Sequence, residues 1–163
     1  MAKETTLTDL ADMAIYEYLD IAHHCLITGK PGGGCWGYPT TLLLLSIVNT
    51  IGSYHKNDNN FTVEIEDKKY PIDGDGIECF RVLNSSYFNL NLTQKEIQRV
   101  YNFYKCLAVC DPANPKPHFL AIGTPIDPVF SRDNQGNMTM LNLVPFYHLC
   151  VKAVSEFLKK ASK

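Results

Sequence analysis

Residues 39–54, PTTLLLLSIVNTIGSY, constrain the fold more than any other part of the chain. Wound as a helix, Leu42 to Val48 puts apolar side chains on nearly every side, and a helix without a polar face has to be covered all round. The apolar run is far shorter than the ~18 residues a membrane span requires, so the cover has to come from the chain itself. Pro39 suits the first turn, where its fixed φ fits and no N–H is needed. Asn49, inside the run, reads as a hydrogen-bonded core group rather than a ligand. The pattern predicts a central helix with other elements packed around it.

Those other elements are mostly helical by pattern. Leu7, Leu10, Ala14, Tyr18, Ala22 and Cys25 form a helical stripe over residues 7–28, with Thr6 and Asp9 in a capping-box arrangement and Gly29 placed to end the helix in a left-handed conformation. Ile77 to Asn89 reads as a short helix. Thr93 and Glu96 form a second capping box, opening a helix that runs to Asp111 with Ile97, Val100, Tyr101, Tyr104 and Ala108 on one face. Asn142 can cap a final helix whose stripe is Tyr147, Cys150, Val151, Val154, Phe157 and Leu158. Strand signals are confined to two places. Phe61, Val63 and Ile65 alternate with polar residues before Tyr70 and Ile72 return the chain, with Pro71 marking an edge. PVFSR and NMTMLNL flank turn residues at Asp133 to Gly136. The expected fold is all-α, an up-and-down helical bundle of four to five helices with one or two small appended β-hairpins, in one domain spanning residues 1–163. A chain of that length buries roughly 70% of the surface its unfolded form exposes.

Charge and cysteine usage narrow the function. A formal net charge of -2 provides no overall basic field for gathering phosphate backbones, although a local patch is not excluded. MAKETTLTDL lacks the apolar core of a signal peptide, so a cytoplasmic protein with no membrane contact is expected. Six cysteines occur without a CxxC, and reduced thiols in helical positions are the simplest reading. DGDG at Asp73 to Gly76 lacks the later ligands and closing glutamate of a calcium loop and reads as a turn. No metal or cofactor is expected.

Gly32, Gly34 and Gly37 spell a G-x-G-x-x-G ahead of the central helix. The dinucleotide-binding reading fails on context, because a long amphipathic helix rather than a strand leads into it, and no Gly-Lys-Ser/Thr follows to make a phosphate-binding Walker loop. A flexible helix–helix connection is expected, with an anion site at Gly33 and Gly34, ahead of the next helix's N-terminus, as the alternative.

The helix from Thr93 ends in a cluster, Tyr104, Lys105, Cys106, Cys110 and Asp111. With the order of helices around it, this stretch resembles the HEPN family, the helical nucleotide-binding and ribonuclease-like domains of higher eukaryotes and prokaryotes. Members commonly carry an arginine followed four to six residues on by a histidine, and Lys105 and Cys110 stand at those two positions here. The resemblance implies a helical bundle that often dimerises through its motif face, and a nucleotide or RNA ligand near Tyr104, Lys105 and Asp111. Both catalytic positions are altered. Lysine lacks arginine's two-pronged grip on phosphate, and cysteine is a poor proton donor to a leaving alkoxide. The expected function is therefore a HEPN-like module, non-catalytic, acting by self-association as a homodimer, by nucleotide or RNA binding, or by both. The alternative is a divergent ribonuclease or thiol-dependent enzyme using Lys105 and Cys110. Cys106 and Cys110 share a helical face and His118 follows, but without a CxxC knuckle zinc is not assigned.

Overall fold

The computed structural model describes residues 7–109 and 119–161, so Thr6, Cys110, Asp111 and His118 lie outside the described residues. The chain runs through α1 (Leu7–Ile27), α2 (Gly37–Tyr54), β1 (Thr62–Ile65), β2 (Lys68–Pro71), a 3-10 helix (Gly76–Asn84), α3 (Gln94–Val109), β3 (Leu120–Ala121), β4 (Phe130–Arg132), β5 (Met138–Asn142) and α4 (Leu143–Ala161). The apolar run lies at the centre as its composition demands. Leu44, Leu45, Ile47, Val48 and Ile51 of α2 are completely buried, and α2 packs against α1, α3, α4 and the 3-10 helix. Gly52 shows how close the last of these contacts is. A Cβ built there would stand 2.1 Å from the backbone oxygen of Cys79, so only glycine lets the two backbones approach.

The all-α expectation is overturned. Among the described residues, four α-helices and the 3-10 helix accompany two sheets, one of two strands and one of three, which makes the fold mixed α/β. The β1–β2 hairpin is antiparallel, pairing Val63 with Tyr70 and Ile65 with Lys68. Its inward side chains Val63 and Ile65 are buried in the core. In the second sheet, of order β3-β5-β4, the expected hairpin is present as β4–β5. It is joined by β3, which runs parallel to β5 with Leu120 opposite Leu141. Phe119, Phe130, Met138 and Leu141 enter the same core cluster as the helices, so this sheet is a wall of the domain rather than an appendage.

Three local expectations also change. The buried stripe of α1 is Ile15, Leu19 and Ala22, rotated from the one based on Ala14 and Tyr18 because the large aliphatic side chains take the inward positions. Gly29 is absent from the glycines with positive φ, so α1 ends without the left-handed residue. Asn142 does not cap α4 with its side chain. Its amide donates instead to the Pro128 carbonyl at 2.6 Å and to Ser131 Oγ at 2.9 Å, tying β5 to the start of β4.

Candidate functional site

The local chemistry of α3 begins with its cap. The Thr93 backbone N–H and hydroxyl donate to Glu96 Oε2 at 2.9 and 3.1 Å, and the Glu96 N–H donates back to Thr93 Oγ1 at 3.3 Å. This is the expected capping box. The other carboxylate oxygen, Oε1, accepts from Arg132 Nη1, and the same nitrogen donates to the Gly136 carbonyl at 2.9 Å. Burial pushes the Glu96 carboxyl up, but Arg132 and the Thr93 donors together outweigh it and hold the group below its ordinary value.

One turn further along α3, Arg99 donates through Nη1 to the Met138 carbonyl and lays its guanidinium 4.7 Å from the centroid of the Phe119 ring. Met138 and Arg132 are cross-strand partners in the β4–β5 hairpin. Helix spacing places Glu96 and Arg99 on one side of α3, and strand register places Arg132 and Met138 opposite them, so both guanidinium groups sit along a single seam. The turn beside it is stiff. Asp133 Oδ1 accepts from the backbone N–H groups of Gln135 and Asn137, each at 2.9 Å.

The seam opens as a cleft of about 780 Å³, within the range of small-molecule sites. Among the described residues, Lys95, Arg99 and Arg132 line it against the one carboxylate of Glu96, a surplus of two positive charges in a chain whose net charge is negative. Gln98, Asn102 and Asn137 add amides, while Phe103 and Phe119 form an apolar wall. Across Thr93, a second cleft of about 630 Å³ has the opposite sign, lined by Glu64, Glu66 and Asp67 with asparagines 84, 89 and 91. The two sides of the α3 N-terminus thus carry side chains of opposite sign.

No match to this chain was found among protein-family models, curated proteins or solved structures.

The residues singled out from the sequence do not converge on one another. Lys105 is exposed, with its ammonium 5.8 Å from the Tyr101 ring centroid, and it does not line the basic cleft. Tyr104 is half-buried with its ring 5.3 Å from that of Phe80, on the far side of α3 from the cleft. Cys110 and Asp111 lie outside the described residues. Gly33 and Gly34 take φ of 91° and 77° in a closed turn where the Gly33 N–H donates to the Lys30 carbonyl and the Lys30 N–H to the Gly34 carbonyl. The Gly33 amide is therefore already paired. Among the described residues, no group of three or more histidine, cysteine or acidic side chains is arranged to hold a metal.

Lys95, Arg99 and Arg132 belong to no binding motif in the sequence. The available signal is Lys95, inside the capping box, and Arg99, four residues on and so on the same helical face. Arg132, immediately before a tight turn, gave no indication of where its hairpin would dock.

Proposed function

We propose that this domain binds a phosphate-bearing ligand of the nucleotide or RNA class in the cleft between α3 and the β4–β5 hairpin. The observation that carries this reading is the concentration of Lys95, Arg99 and Arg132 in one cleft of an acidic protein. Among the described residues Lys95 and Arg99 have no carboxylate partner, so their charge is available. Guanidinium groups suit phosphate because their planar forks offer parallel N–H donors. The described residues of the cleft lining supply hydrogen-bond donors and positive charge suited to holding a phosphate. The ligand class suggested by the HEPN resemblance is kept, while the site moves from the C-terminal end of α3 to its N-terminal half.

No helix among the described residues is long and apolar enough to cross a membrane. The aromatic side chains of α3 make intramolecular contacts. Tyr101 and Tyr104 pack against Phe80, and Phe103 packs edge-on against Phe119 with centroids 5.1 Å apart.

The test is equilibrium binding of a labelled nucleotide and a short RNA to the intact protein and to Arg99→Ala. Saturable binding weakened about tenfold or more by the substitution is expected. Equal binding by both proteins, or none by either, would remove the cleft as the site.

A further inference from the structure

The cationic groups of the cleft differ in how they are held, and the difference bears on which phosphate fits. Arg132 is fixed by Glu96 and the Gly136 carbonyl, and Arg99 by the Met138 carbonyl, whereas Lys95 makes no ion pair among the described residues. Each of the two arginines makes its protein hydrogen bonds through Nη1, and neither is buried, so donors remain for a ligand.

From these features we infer that the cleft is a site for a terminal phosphomonoester, the dianionic end group of a nucleotide or oligonucleotide, rather than for an internal phosphodiester or a run of stacked bases. The inference rests on the proposed ligand class and sharpens it. Three observations carry it. Among the described residues, three cations against one carboxylate leave a surplus of two charges, which a dianion neutralises and a monoanionic diester does not. A monoester presents three terminal oxygens to three cationic groups, where a diester has only two unbridged ones. The aromatic wall is closed to bases: Phe103 is 8% exposed, Phe119 is 7% exposed, and the guanidinium of Arg99 already covers a face of the Phe119 ring. Proteins that track a single strand instead present open aromatic faces on which bases stack.

Glu96 has a positioning role in this arrangement. Its carboxylate fixes the Arg132 side chain through Nη1 while the capping box fixes the carboxylate, so the guanidinium needs little reordering when a ligand enters.

The experiment compares one short oligoribonucleotide, labelled at its 3′ end, with and without a 5′-phosphate, by fluorescence anisotropy at low salt. The 5′-phosphorylated form is expected to bind at least tenfold more tightly at pH 7.5. The gap should narrow as the pH falls through about 6, where a phosphomonoester dianion takes up one proton and becomes a monoanion, while the 5′-hydroxyl form serves as the internal control. Arg132→Ala should erase the gap. Equal affinity of the two forms, with both weakened by Arg99→Ala, would overturn this inference and leave the cleft standing as a phosphate site. Binding of neither form, or binding indifferent to both arginines, would overturn the inference together with the proposed function.

Discussion

Nε2 of His55 lies 3.1 Å from the phenol oxygen of Tyr87, and both residues are buried. The imidazole stacks on Phe61 at 3.7 Å between ring centroids and meets Phe157 of α4 edge-on, so the pair joins the end of α2 to the segment after the 3-10 helix and to the last helix. Two charged side chains face it. Asp58 Oδ2 is 3.9 Å from Nδ1, and Lys160 lies over the Tyr87 ring at 4.5 Å. Burial, aided by Lys160, pushes the His55 pKa below its ordinary 6.5 despite the opposing pull of Asp58.

A pH dependence follows from that direction. Well above pH 6.5 the histidine is neutral in both folded and unfolded chains and no stability is lost. As the pH falls below 6.5 the unfolded chain takes up a proton that the folded one resists, so stability should decline, by at most about 1.4 kcal/mol per pH unit for one group. Urea unfolding between pH 8 and 5 is the measurement. The decline should flatten in His55→Gln, which can still reach Tyr87 but does not titrate. An unchanged slope in that variant would assign the decline to other groups.

Gly52→Ala is expected to destabilise the domain by about 2–3 kcal/mol or more, since its methyl would meet backbone rather than a movable side chain. Gly29→Ala is the matched control, with no atom within 4 Å of the added Cβ and no positive φ, and should change stability by no more than about 0.5 kcal/mol. Similar unfolding midpoints for the two variants would contradict the close approach of α2 to the 3-10 helix.

What could be read from sequence divides along contact distance. The Thr93–Glu96 capping box and the central helix were legible because the information lies within a few residues. The second sheet was not. A strand of two residues carries no period, a bulge between Ser131 and Arg132 breaks the alternation of β4, and β3 pairs with a strand about twenty residues further on. The cleft depends on such non-local contacts, Arg132 with Glu96 and Arg99 with Met138, separated by 36 and 39 residues. Reading neighbouring residues at the C-terminal end of α3 therefore drew attention to Lys105 and away from Arg99, two helical turns closer to the cap.

Asn142→Ala should cost about 1–3 kcal/mol by leaving the Pro128 carbonyl without its amide donor in a nearly closed site, and Asn142→Asp should cost more by placing a carboxylate against that carbonyl. Thermal unfolding ranks the two variants. A harmless aspartate would mean that the side chain at 142 does not tie β5 to the start of β4.

Glu96 has two functions that substitution can separate. Thr93→Ala removes the hydroxyl of the cap and should cost about 1 kcal/mol. Glu96→Gln can still accept from the Thr93 N–H, since glutamine also completes a capping box, but it loses the charged bond to Arg132. With Arg132 39% exposed, that loss should be modest, roughly 0.5–1 kcal/mol at neutral pH. Its pH dependence identifies the source. Because the folded-state pKa of Glu96 is lowered, the carboxylate's contribution is complete above the unfolded value of about 4.3 and is lost as the pH falls through the folded one. The stability gap between the native protein and Glu96→Gln should therefore be constant from pH 8 to 6 and shrink below about pH 4. The gap to Thr93→Ala should keep its hydroxyl-dependent part throughout. Denaturant titrations of the three proteins at pH 7 and pH 3.5 decide the matter, and a Glu96→Gln gap of equal size at both would show that the Arg132 contact contributes nothing through charge.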